Sequence, residues 1–200
     1  MIKHLALSAV LVAAILAPAR AADDQVRVRG TVTAFETDSI TIQSAAGQTT
    51  KIKLPADYKV LQFSPIQLAD IKPNAYLAAA SIPQSDGSLR ALSVSVFPEA
   101  MRGANEGSHD WDLKPGSRMT NATAGEIVAK PEGRVITLSF QGKTQKLVVP
   151  ENAAVTAISP VDKESIKVGA KAVVLGMRDA AGSVTGGIVG VTKEGALPPI

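Results

Sequence analysis

Ser64 to Val96 reads SPIQLADIKPNAYLAAASIPQSDGSLRALSVSV, and Ser159 to Val191 reads SPVDKESIKVGAKAVVLGMRDAAGSVTGGIVGV. Shifted by 95 positions, the first lands on the second: Ser64 and Pro65 on Ser159 and Pro160, Ile71 and Lys72 on Ile166 and Lys167, Ala75 on Ala170. Gly87 and Ser88 meet Gly182 and Ser183, and Val94 and Val96 meet Val189 and Val191. The same shift pairs Gly30 with Gly125, Gly47 with Gly142 and Pro55 with Pro150, and from Pro55 to Val96 it holds without a gap. A fixed offset that matches glycines and prolines is the mark of an internal duplication.

Working outward, apolar residues in each unit recur at every second position, the period of a half-buried strand. Val26, Val28, Val32 and Ala34 are expected on one face, with Arg27, Arg29, Thr31 and Thr33 on the other. Ile40 with Ile42, then Ile52 with Leu54, continue the pattern around a turn at Ala45, Ala46 and Gly47. Asp86 and Gly87 separate strands from Tyr76 to Ile82 and from Leu89 to Phe97, as in a hairpin. The second unit predicts strands at Ile136 to Phe140, Lys146 to Val149, Ala172 to Gly176 and Val184 to Val191.

One short helical turn interrupts each unit. Ser64 suits an N-cap, Pro65 the first helical position and Gln67 a capping box; Ser159, Pro160 and Asp162 repeat the arrangement, and Gly169 is placed to end it. The fold class is therefore all-β with one short helical turn per repeat. Two tandem small OB-like β-barrels fit this inventory, and a β-sandwich is the alternative. Units this small bury only about 60% of their unfolded surface, so the two are expected to lean on each other. The expected organisation is a signal peptide at 1–21, a first barrel repeat at 22–97, a connector at 98–124, and a second barrel repeat with its tail at 125–200.

The signal peptide is read from Lys3 and His4, an apolar run from Leu5 to Leu16, and small residues at Ala19 and Ala21. That run is short of the roughly 20 residues a bilayer span needs, and no later window supplies one. Localisation is expected to be periplasmic or secreted. The absence of cysteine excludes disulfides, thiolate metal sites, a cysteine nucleophile and a lipidated cysteine. Loss of Lys3 and Arg20 takes the formal charge from +3 to +1, so a nucleic-acid partner is not expected.

The repeated pattern Gly-x-Val, Leu-x-x-Ile-Lys-x-x-Ala and Asp-Gly-Ser-Leu-x-Ala-x-x-Val-x-Val resembles a family of bacterial exported domains of unknown function, and the resemblance implies OB-like barrels. The segment FPEAMRGANEGSHDWDLKPGSRMTNAT, Phe97 to Thr123, is similar to one in uncharacterised proteobacterial proteins labelled metal ABC transporter permease. This chain departs from that label, because a permease needs several membrane spans.

The connector is too long for an ordinary loop of about 4 to 6 residues. It holds the only tryptophan, Trp111, and the only histidine beyond the signal segment, His109. A divalent-metal site is one reading, with His109, Asp110 and Asp112 as ligands and Glu106 or Glu99 completing the set; imidazole and carboxylates suit zinc, copper or manganese. In extended chain Asp110 and Asp112 point away from His109, so a turn would have to gather them. The simpler reading has Trp111 capping the junction between barrels, with the charges solvated or paired to Arg102 and Arg118. Ser108 or Ser117 beside His109 matches no catalytic motif, so an enzyme is not expected and a hydrolase is only a remote alternative. The leading expectation is a non-enzymatic binding or accessory module for an unknown protein or small ligand. Its interaction surface would be the connector and the inter-repeat groove, with Trp111, Arg102, Arg118 and Met101. The alternative is a periplasmic metal-handling protein centred on His109.

Overall fold

Alternating residues leave one polar face and one apolar face on every strand, and the apolar faces must find one another. The computed structural model describes residues 24–131, 133–192 and 197–200, so the signal peptide expected at 1–21 lies outside the described residues. The first repeat forms β1 (Asp24–Glu36), β2 (Ser39–Gln43), β3 (Thr49–Lys53), β4 (Lys59–Pro65), β5 (Tyr76–Pro83) and β6 (Leu89–Val96). β7 (Gly107–Asp110) follows in the connector. The second repeat forms β8 (Arg118–Lys130), β9 (Gly133–Phe140), β10 (Lys143–Pro150), β11 (Ala154–Val161), β12 (Lys171–Arg178) and β13 (Val184–Thr192). The protein is all-β: its strands share one large mixed sheet, and only short 3₁₀ turns at Leu68–Asp70, Glu99–Met101 and Lys163–Ser165 interrupt them among the described residues.

The duplication is visible in the fold. A shift of 95 carries Leu68–Asp70 onto Lys163–Ser165 and Tyr76–Pro83 onto Lys171–Arg178. Asn74 and Gly169 are also equivalent: both take a left-handed φ, 67° and 89°, and their N–H groups donate to Ala124 O and Val32 O. The first strand of each repeat follows a different shift. Thr31 opposite Gln43 and Val32 opposite Ile42 correspond to Thr123 opposite Ser139 and Ala124 opposite Leu138, which matches β1 to β8 at 92. Gly30 is therefore equivalent to Ala122 rather than to Gly125, which falls in the bulge between Ala124 and Ile127.

Strand pairing does not follow the repeats. β3, β2, β1, β12 and β13 pair in succession, and β13 returns to β3 through Val184 opposite Ile52. β10, β9, β8, β5 and β6 do the same, and β10 returns to β6 through Leu147 opposite Leu89. Each circuit thus takes three strands from one repeat and two from the other. The units at 22–97 and 125–200 are repeats of sequence, not of self-sufficient pairing, and the 98–124 connector already enters β8 at Arg118. β4 and β11 pair antiparallel between the circuits with Phe63 opposite Ile158, a register that maps onto itself when the repeats are exchanged.

Three apolar clusters follow. Val32, Ile40, Ile52, Val174 and Val189 fill the first circuit. Leu77, Val94, Ile136, Leu138 and Leu147 fill the second. Between them pack Leu61, Phe63, Ala78, Ala80, Ile158, Val173 and Ile200. β5 is buried on both faces, which is why YLAAAS lacks polar alternation: Leu77 and Ala79 face one cluster, Ala78 and Ala80 the next.

Two local expectations are corrected. A bulge between Val32 and Ala34 shifts the alternation of β1, so Phe35 rather than Ala34 packs on the core. The helical turns start later than Ser64 and Ser159, both of which stay in strands; the N-caps are Gln67 and Asp162. Asp70 closes the first turn by accepting the Gln67 N–H at 2.9 Å.

Candidate functional site

The connector leaves β6 at Phe97, whose N–H donates to Tyr76 O at 2.9 Å. Arg102 ties it down. Its guanidinium donates to both Glu99 oxygens at 2.5 and 2.7 Å and to Asn74 O at 2.8 Å. Ala104 O then accepts from Tyr76 Oη at 3.1 Å and from Asn121 Nδ2 at 3.0 Å. This half of the connector has a counterpart. After β13, Ile200 O accepts from Arg29 Nε at 2.7 Å, and Arg29 is the residue equivalent to Asn121 in the matched first strands. Pro199 O accepts from Ser93 Oγ. Ile200 O thus stands at the junction where Ala104 O stands in the first repeat, and the stretch from 105 to 117 is inserted between Ala104 and β8.

Within the insertion, β7 pairs antiparallel with β8, and the Trp111 N–H extends the ladder to Ser117 O at 2.8 Å. Ser117 Oγ donates to Trp111 O at 3.0 Å, closing the loop beyond. The tip reaches the other circuit. Asp112 accepts from Arg29 Nη1 and Nη2 at 3.1 and 2.7 Å, and the Trp111 ring lies over the Arg27 guanidinium with 3.6 Å from carbon to ring centre. Burial opposes ionisation of Asp112, but hydrogen bonds and charge from Arg29, helped by Arg27, outweigh it and hold the carboxyl below the usual range. Burial pulls the Arg27 guanidinium below its ordinary value, offset in part by Asp112. Trp111 also packs on the cluster between the circuits, so the insertion straps the two together.

The metal-ligand set expected around His109 is not gathered. Glu106 Oε1 accepts the Gln141 N–H at 2.7 Å, Asp110 accepts from Arg118 Nη1 at 2.7 Å, and Asp112 is held by Arg29. His109 is exposed on β7. Among the described residues, no three His, Asp or Glu side chains converge on one point. β7 stays extended, so the turn that a shared cation would need does not form. Arg118 also donates to Ser108 Oγ at 3.0 Å and Ser108 O at 2.9 Å, which makes it a brace within the insertion.

A cleft of about 590 Å³ lies beside β4 and β11, walled by Tyr58, Leu61, Met101, Lys163, Glu164 and Ile188. Of the connector residues expected at the interface, Met101 alone lines it. Tyr58 is 4% exposed, and its hydroxyl is buried without a hydrogen-bond partner among the described residues. Burial raises the Tyr58 hydroxyl above the ordinary phenol value, and the charge of Glu164 adds to this. Lys163 Nζ sits 4.3 Å from the Tyr58 ring centre and donates to Ala56 O at 2.8 Å. The sequence reading missed Tyr58, Lys163 and Ile188. Their signal was a break in the repeat, since a shift of 95 sets them against Ala153, Leu68 and Ser93. At the twin position Leu68 and Ala153 pack onto the core.

No helix among the described residues is long and apolar enough to cross a membrane. No protein-family profile matches the chain, and no curated protein or solved structure matches it at a significant level.

Proposed function

We propose that the chain is an exported, non-enzymatic binding module, two OB-like barrels in which the groove at Tyr58 holds a small amphiphilic molecule. The observation that carries this reading is the Tyr58 hydroxyl, buried and unpartnered against a cleft of about 590 Å³. A buried polar group without a partner costs about 1–3 kcal/mol, which a ligand that shifts the cleft wall enough to reach the hydroxyl would offset. The volume lies within the range of about 300–1,000 Å³ usual for small-molecule sites. Met101, Leu61 and Ile188 supply apolar walls, and Lys59, Asp162, Lys163 and Glu164 supply charges of both signs. The signal-like N-terminus supports export, and the low net charge and few aromatics disfavour a nucleic-acid partner.

The test is titration with 1-anilinonaphthalene-8-sulfonate, an aromatic body with one anionic group. We expect saturable binding to one site, lost in Ile188→Arg and weakened severalfold in Tyr58→Phe, with native circular dichroism retained. Binding that never saturates, or that ignores Ile188→Arg, removes the groove as the site.

A further inference from the structure

We propose that the outer edge of β1, from Gln25 to Arg29, is a strand-addition site for an extended polypeptide whose side chains alternate apolar and acidic. In an antiparallel ladder the N–H and C=O of each residue point to one side, and successive residues alternate. Val32 N donates to Ala170 O, and Val32 O accepts from Gly169, so the even residues of β1 face β12. Gln25, Arg27 and Arg29 therefore turn their backbone groups to the opposite edge. β2 does not reach them, because its pairing with β1 begins at Thr31. Among the described residues no strand covers this edge.

The duplicated strand shows what such an edge accepts. The equivalents of Gln25, Arg27 and Arg29 in β8 are Ser117, Met119 and Asn121. All three are capped by the insertion: Asn121 opposes Gly107 and Met119 opposes His109, and Ser117 O accepts from Trp111. The second circuit thus carries an added strand on this edge, and in the first no described strand takes that place. Open edges of this kind are where proteins recruit peptides by main-chain hydrogen bonding, with alternate side chains setting specificity.

Charge and polarity at the edge select the occupant. Val26 and Val28 lie half-buried on the core face of β1, so a strand beside them extends the apolar layer. On the other face Arg27 and Arg29, 15% and 18% exposed, are engaged by Trp111, Ile200 O and Asp112 and keep one positive charge in excess of that single carboxylate. Acidic residues alternating with apolar ones complement both faces. A second copy of β1 would set arginine against arginine across the ladder, which is unfavourable.

The probe is a capped Thr-Val-Glu-Val-Glu-Val-Thr peptide, followed by Trp111 fluorescence and residue-resolved amide exchange. The expected result is saturable binding with exchange at Gln25, Arg27 and Arg29 slowed at least tenfold. A lysine analogue should bind at least tenfold more weakly. Gln25→Pro, which removes an edge donor without touching the β12 ladder, should weaken binding while leaving circular dichroism unchanged. Ile188→Arg should not alter it, which separates this site from the groove. Absence of saturable binding, equal affinity for the lysine analogue, or protection of these amides by dimerisation without peptide would each overturn the proposal.

Discussion

The guanidinium carbon of Arg27 lies 3.6 Å from the centre of the Trp111 ring, so a strand of one circuit and the insertion borne by the other meet through a cation on an aromatic face. With its apolar packing between the circuits, Trp111 is expected to contribute about 2 kcal/mol, below a fully buried tryptophan because the ring is half-buried. Trp111→Ala should lower the urea midpoint accordingly, and Trp111→Phe should recover most of the loss. Unchanged unfolding, together with emission at the wavelength of free indole, would show that the strap does not hold.

Asp112 gives the strap a pH dependence of defined sign. Its folded carboxyl titrates below the unfolded value, so its stabilisation is present above about pH 4 and lost as pH falls through the folded pKa. At 47% side-chain exposure, the two bonds to Arg29 are expected to contribute about 1 kcal/mol after solvent screening. Unfolding of wild type and Asp112→Asn should differ at pH 7, and the difference should shrink as pH falls below about 4. A gap that stays constant or widens in acid contradicts the assignment.

Gly30 and Gly125 share an offset of 95 in sequence but not an environment. A Cβ on Gly30 would stand 2.0 Å from Gln43 O, a backbone atom, whereas on Gly125 the nearest contact, Thr137 O, is at 3.2 Å. Gly30→Ala is expected to cost about 3 kcal/mol through forced separation of β1 and β2, and Gly125→Ala less than about 1 kcal/mol. Equal melting temperatures for the two variants would mean that the register of β1 is wrong.

A backbone break in the connector should not release either half. β1 pairs with β12 from Asp24 to Thr31, and β5 with β8 from Tyr76 to Ser81, so each half holds strands the other needs. With a protease site placed at Gly103–Asn105, we expect the cut chain to elute as one species and to separate only in denaturant. Recovery of two independently folded halves would show that each repeat closes on itself.

The strands were legible because alternation and the repeat acted together. Tyr76–Pro83 and Leu89–Val96 emerge within a residue of expectation, since Asp86-Gly87 fixes the hairpin between them and Gly87 takes the left-handed φ of 80°. Partner choice was not legible. Nothing in the composition of β1 says whether it pairs with β5 or β12, because both equivalents present the same apolar pattern and only packing between circuits decides. The groove was hidden for a related reason: Tyr58 and Lys163 matter through the symmetry they break, and matching positions alone draws attention away from them. In the connector, Trp111 packs between the circuits, and Arg102 and Arg118 pair with Glu99 and Asp110, the pairing that the simpler reading of the segment offered.

The exchange of strands also orders events in time. The strands of the β5–β10 circuit are complete at Pro150, with Val155 joining its buried cluster soon after, while the hairpin of β1 and β2 must wait for β12 and β13, which end at Thr192. A polypeptide emerging from its N-terminus can therefore settle its middle before its beginning, and long-range closures of this kind are slow. Pulse-labelled refolding should protect Leu138 and Val94 ahead of Val28 and Val174. β1 and β2 stay open to handling by other proteins until β12 and β13 have been made.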